Sequence, residues 1–324
     1  ISKLQRDNGL TYEKNQILAS SGAKHSFYNL AQVLWQAGDE VIIPAPYWVS
    51  FPEMVTLAGA RPIIIHAGAE QDFKITPEQI NNATTPNTKA IMINSPSNPT
   101  GSAYDKSELE KLAECALRHN LLIISDEIYE QIVFDGFRHT SIASISNEVQ
   151  KQCVVINGIS KSYAMTGWRI GYIAAGDPEI VKQVTKLQGQ STSNPCSVSQ
   201  VASIEALAGP LDEVHEMVRE FEKRRNIIVD CLTQIPGVSC NKPAGSFYSF
   251  PDFSSVYGKK DMNGKTLEGS LDFTDYLLST VKVAIVPGIA FGADAHARLS
   301  FATSLETIEA GVKRIKDAVN KLTD

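Results

Sequence analysis

One lysine, Lys161, stands in the run Asn157-Gly-Ile-Ser-Lys-Ser-Tyr-Ala-Met-Thr-Gly-Trp-Arg169, just past the apolar stretch Cys153 to Ile156. A primary amine there can condense with an aldehyde. Ser160 and Arg169, on either side, offer a hydroxyl and a planar guanidinium fork to a phosphate. Other segments carry matching chemistry. Ser20-Ser-Gly-Ala-Lys24 presents the backbone N–H groups of Gly22, Ala23 and Lys24 at a helix start, where phosphate is favoured. Asp126, in Ser125-Asp-Glu-Ile-Tyr129, is an acid that would favour a neighbouring group in its positively charged form. Asn98, in Ser95-Pro-Ser-Asn-Pro-Thr-Gly101, and Tyr129 offer hydrogen-bond donors, and Trp48 can stack on a flat ring. Each type also has a plainer use, as surface lysine, capping acid or core tryptophan.

The elements that must position these residues are legible as an alternation. Short apolar runs occupy Gln16 to Ala19, Glu40 to Ile43, Pro62 to His66, Lys89 to Asn94, Leu121 to Ser125, Cys153 to Asn157 and Ile170 to Ala174. Most are apolar throughout, as strands covered on both faces must be. Between two of them, Asp105 to Asn120 sets Leu109, Leu112, Ala113, Ala116 and Leu117 at helical spacing. The expected fold is therefore α/β, a mostly parallel seven-stranded sheet covered by helices. Ligands bind beyond the carboxyl ends of such strands, and the segments above follow those ends.

After Gly209 the texture changes. An amphipathic pattern runs from Leu211 to Leu232, then strand-like runs follow at Ser246 to Phe250, Val283 to Val286 and Ala297 to Phe301. A last helix is expected, with Thr303-Ser-Leu-Glu306 as capping box and Ile308, Val312, Ile315, Val319 and Leu322 as its apolar stripe. This reads as a large domain over residues 1–225 and a smaller α+β domain over 226–324, hinged on the long helix. The stretch from Gly258 to Leu267 reads as a surface loop.

Composition narrows the class. The formal charge of −6 gives no basic field for nucleic acid or an anionic membrane, and no run is long and apolar enough to span a bilayer. Five scattered cysteines without a Cys-x-x-Cys pair, and six histidines without ligand spacing, point away from disulfides and metal and towards a reducing compartment. Cytoplasm is expected, with an organelle after removal of a transit peptide also open. The first residue, Ile1, with the turn Asp7-Asn8-Gly9 soon after, suggests a natural start further upstream.

Ser95 to Gly101, Ser125 to Tyr129, Ser160-Lys161 and Gly167-Trp-Arg169 together resemble the pyridoxal-phosphate aminotransferases of the aspartate aminotransferase fold family. Pro46-Tyr-Trp-Val-Ser50 is similar to the bacterial-type aspartate aminotransferases and the glutamate/aspartate–prephenate aminotransferases. The resemblance runs from Leu10 to the C-terminus. It implies pyridoxal 5′-phosphate held by Lys161, with Asp126 at its ring nitrogen, Asn98 and Tyr129 at its phenolic oxygen and Trp48 on its ring, ping-pong transfer between dicarboxylic amino acids and 2-oxo acids, a role in amino-acid biosynthesis, and a homodimer. It further implies that Arg298, in Arg298-Leu-Ser-Phe-Ala-Thr303, forks the substrate α-carboxylate, a task unsuited to lysine. Lys24 would meet a distal carboxylate, with Trp48 and Asn98 also against the substrate. Asn98–Pro99 is expected to be cis. Two departures stand out: the family's N-terminal arm and its tyrosine would precede residue 1, and Ile289 replaces a commonly polar residue.

Competing motifs are incomplete. Ser21-Gly-Ala-Lys24 fits Ser-x-x-Lys but lacks the companion Ser-Asp-Asn and Lys-Thr-Gly elements. Gly258 to Thr266 ends in Gly-Lys-Thr with one residue too many for a phosphate loop, and no Gly-x-Gly-x-x-Gly follows a strand. Within the same fold, an aromatic aminotransferase, C–S β-lyase or cyclopropane-forming synthase stays open as an alternative.

Overall fold

The computed structural model describes residues 1–323. Seven strands form the main sheet: β1 (Ile17–Ser20), β2 (Glu40–Ala45), β3 (Arg61–His66), β4 (Thr88–Asn94), β5 (Leu122–Asp126), β6 (Cys153–Gly158) and β7 (Gly171–Ala175). Their order is β1-β7-β6-β5-β4-β2-β3. Contacts from β3 to β6 are parallel, and β7 runs against both its neighbours. The α/β sheet is thus the expected one, mostly parallel.

Continuous apolarity has a direct cause. Successive side chains leave a strand on opposite faces. Along β2 and β4, Ile42, Ile91 and Ile93 join one buried cluster, which includes Leu109 and Leu112 of the helix Lys106–Arg118. Val41, Ile43, Ala90 and Met92 join another, which includes Phe27 and Leu30 of Ala23–Leu34 and Val181 and Val184 of Pro178–Gly189. Asp105 caps Lys106–Arg118 by accepting the Glu108 N–H, and the Glu108 carboxylate accepts the Asp105 N–H in return.

The long amphipathic pattern is one helix, Asp212–Thr233. Beyond it, β8 (Tyr248–Ser249), β9 (Val286–Pro287) and β10 (Ala297–Ser300) make an antiparallel sheet in the order β8-β10-β9. β9 starts later than the run Val283 to Val286 suggests, because only Val286 and Pro287 find partners, Arg298 and Ala297. The last helix, Leu305–Val319, is capped by Ser304 rather than Thr303: the Ser304 hydroxyl accepts the Thr307 N–H. Its stripe of Ile308, Val312, Ile315 and Val319 is buried as expected. Among the described residues, no helix is long and apolar enough to cross a membrane.

Candidate active site

The reversed strand explains how distant segments meet. Strands β1, β2, β4, β5 and β6 end at one edge of the sheet, and antiparallel β7 begins there, with Gly171 opposite both Ser20 and Gly158. Arg169, two residues before β7, therefore comes to the edge where Lys161 follows β6. A cavity of about 350 Å³ opens at this edge. Ala23, Lys24, Trp48, Asn98, Asp126 and Tyr129 line it, as do Ser160, Lys161, Arg169 and Arg298. Gly22 stands just behind, as N-cap of the helix Ala23–Leu34 at φ 94°. A Cβ at Gly22 would collide with Arg169 Nη2, and one at Gly171 with the backbone nitrogen of Ala23. Only glycine admits this approach of loop, strand and guanidinium. Arg169 itself lies at φ 55°, a sparsely populated conformation for a side-chain-bearing residue, and its Nη1 donates to Thr166 O at 2.8 Å.

The turn after β4 is held by its own amides. Asn94 Oδ1 accepts the Asn98 N–H at 2.9 Å, and Asn94 Nδ2 donates to the Asp126 carbonyl at 3.2 Å. Asn98–Pro99 is cis, as are Ser95–Pro96 and Ala45–Pro46. Asn98 Oδ1 in turn accepts from Arg298 Nη1 at 2.8 Å, joining the main sheet to the small one. The Arg298 guanidinium carbon lies 4.4 Å from the Tyr248 ring and 5.0 Å from that of Phe291. Lys24 Nζ, by contrast, is exposed and lies 4.9 Å from the Trp48 ring.

Burial sets the electrostatics. Asp126 is 7% exposed, and removal from water pushes its carboxyl up to about 7, although the Ile128 N–H and nearby Lys161 favour the charged form. Burial also lowers the proton affinity of the Lys161 amine, reinforced by the positive charges of Arg298 and Arg169. Tyr129, with its hydroxyl 3.2 Å from that of Tyr248, is pushed well above the usual phenol range by burial. Glu127 and Glu130, beside these residues, are engaged elsewhere. Glu127 accepts from Ser125 and Ser141 and faces His139 Nε2 at 3.3 Å, while Glu130 meets Lys3, Asn8 and Asn157. That network braces the turn carrying Asp126 and Tyr129.

The donor set fits pyridoxal phosphate. A buried acid disfavoured as a lone anion suits a positively charged ring nitrogen, and an amine with lowered proton affinity suits an aldehyde. A glycine cradle against a guanidinium suits a phosphate. Asn94, Ile128, Thr166 and Tyr248 also line the cavity, and the sequence reading assigned them no part. Asn94 and Ile128 lie inside segments already singled out, whereas Tyr248 sits in a run that reads only as strand.

An α/β fold with a cavity beyond the carboxyl ends of its strands is an architecture that binds small-molecule ligands there. The profile of the family described as "Aminotransferase class I and II" matches residues 1–315, and the chain belongs to that family. It is 51% identical over 315 residues to an aspartate aminotransferase of Geobacillus stearothermophilus, covering 97% of this chain and 79% of that protein. It is 44% identical over 322 residues to a probable aspartate/prephenate aminotransferase of Rickettsia bellii, covering 99% and 80%. The crystal structure of an aspartate aminotransferase from Rhizobium meliloti superimposes with a TM-score of 0.96 at 40% identity, covering 99% of this chain and 80% of that one.

Proposed function

We propose that this chain is a pyridoxal-phosphate-dependent aminotransferase acting on dicarboxylic amino acids, aspartate and glutamate, and their 2-oxo acids. The observation that carries the reading is that Lys161, Asp126 and Arg169 line one cavity with two further cations, Arg298 and Lys24. The names of the aspartate aminotransferase relatives support the substrate class.

When bound, pyridoxal phosphate supplies an electron sink for the carbanion left when an amino acid loses its Cα proton. In this reading Lys161 would hold the aldehyde carbon, and its Nζ would be the base that takes up the substrate's Cα proton. Burial and the nearby positive charges of Arg298 and Arg169 favour the neutral form of the amine that accepts a proton. Asp126 keeps the proton on the ring nitrogen. Asn98 and Tyr129 donate to the phenolic oxygen, and Trp48 covers the ring. The N–H groups of Gly22, Ala23 and Lys24, with Ser160 and Arg169, hold the phosphate. Arg298 forks the α-carboxylate and Lys24 meets the distal one. Amino acid and oxo acid would use the same cations in turn, as ping-pong kinetics require.

On the helix Ser197–Ala208, Val198, Val201 and Ile204 are 67%, 67% and 66% exposed, a strip at helical spacing that a second copy would cover in a homodimer. A division near residue 226 into a cofactor-holding domain and a smaller one is supported by the two separate sheets.

The test is direct. The chain, loaded with pyridoxal phosphate, should show a visible band that aspartate bleaches and 2-oxoglutarate restores. Lys161→Ala should abolish the lysine-dependent band and lower turnover on the order of 10²- to 10⁴-fold. A band and turnover untouched by that substitution would sink the reading.

A further inference from the structure

Tyr248 touches two groups to which the proposed function gives different tasks. It is buried in β8, 7% exposed, and lines the cavity. Its ring lies 4.4 Å from the Arg298 guanidinium carbon. Its hydroxyl lies 3.2 Å from the Tyr129 hydroxyl. No other residue lining the cavity pairs with both Tyr129 and Arg298 among the described contacts.

The direction of the hydroxyl pair follows from the proposed role of Tyr129. If the Tyr129 proton goes to the cofactor's phenolic oxygen, its own oxygen is left as an acceptor, and Tyr248 O–H donates to it. A phenol that accepts a hydrogen bond donates more strongly, because the chain polarises in one direction. Removing the Tyr248 hydroxyl therefore weakens the hydrogen bond that Tyr129 gives. The ring has a separate effect. A guanidinium against an aromatic face keeps its plane, and a planar fork binds a carboxylate only when its plane is held. Phe291, at 5.0 Å, and Asn98, at 2.8 Å, are the other supports of Arg298.

We propose that Tyr248 is a positioning residue for the reaction, its ring fixing Arg298 for the substrate α-carboxylate and its hydroxyl strengthening the hydrogen bond that Tyr129 gives the cofactor. This rests on the function proposed above. The charged and titratable groups facing the pair are Asp126 from β5, Lys161 after β6 and Arg298 from β10. All three remain in the variants below.

The two effects separate by substitution. In Tyr248→Phe the ring stays and the hydroxyl goes. The pH midpoint of the bound cofactor's visible band should rise by about 0.5 unit, with KM for aspartate and 2-oxoglutarate changed less than about twofold. In Tyr248→Leu the ring goes as well. KM for both substrates should rise roughly fivefold, since both carry the α-carboxylate, with kcat falling less. A merely structural residue would lower stability and kcat in both variants without a midpoint shift confined to the hydroxyl. A Phe variant with an unmoved midpoint, or a Leu variant with unchanged KM, overturns the proposal while leaving the function standing. A wild-type chain with no lysine-dependent band overturns both.

Discussion

The floor and the rim of the cavity are built on opposite terms. Asp126, Asn98, Tyr129, Ser160 and Tyr248 are each no more than 7% exposed, and most are tied by hydrogen bonds to a neighbouring element. Lys24, Thr166 and Arg169 are exposed, and Trp48 is half-buried. Arg298 shows what the difference means. It is half-buried, hydrogen-bonded to Asn98 and flanked by two rings, whereas Lys24 reaches the same cavity from water with one ring beside it. A fixed cation suits the group that every substrate shares. A solvated one suits the group that varies between substrates, where its contribution is screened.

The largest expected effect lies on the floor. Asp126→Asn should lower kcat on the order of 100- to 1000-fold, as loss of one preorganised electrostatic partner does, with KM much less affected. A loss below tenfold would put the acid outside the chemistry. The same residue makes a stability prediction with a definite sign. A carboxyl raised from 3.8 to about 7 by burial leaves stability intact below pH 4 and removes it progressively as pH rises to 7. In the cofactor-free chain, Asp126→Asn should therefore melt higher than wild type at pH 8, on the order of 4 kcal/mol more stable, and lose that advantage below pH 4. Thermal unfolding across this range checks it.

Arg298→Lys comes next, with kcat/KM lowered about 100-fold for dicarboxylic and monocarboxylic amino acids alike, because a point charge replaces a held fork. Steady-state kinetics on aspartate and alanine measures it. Lys24→Ala should be smallest: about fivefold in KM for aspartate, nothing for alanine, and less in high salt. Equal losses on both substrates would erase the distinction between floor and rim.

How much of this was legible differs by element. The parallel strands could be read because Val41 to Ile43 and Ala90 to Ile93 feed clusters on both faces, which leaves no polar alternation. The reversal of β7 could not: Ile170 to Ala174 is as apolar as its parallel neighbours, and strand direction leaves no trace in composition. The positions named around the cavity came from segments at strand ends and from family motifs. Periodicity alone would not have singled out Arg298, which alternates in β10 like any residue on the less buried face of a strand. Tyr248 escaped because its partners, Tyr129 and Arg298, lie 119 and 50 residues away. Ser304 took the cap from Thr303 because two adjacent hydroxyl residues are equally competent until the backbone selects one.

The antiparallel pairing of β6 and β7 has a consequence for how this molecule can vary. Because Gly158 and Gly171 face each other in register, the connection between them leaves and re-enters the sheet at one place, carrying Lys161 and Arg169 on a single short tether. An added residue in that tether would shift amine against guanidinium directly. An insertion in the crossover from β4 to β5, whose helix spans the far face, need disturb neither. Length variation is therefore expected to accumulate in the helical parts of the crossovers, away from Lys24, Trp48, Asn98 and Tyr129, and to be excluded from residues 159–170.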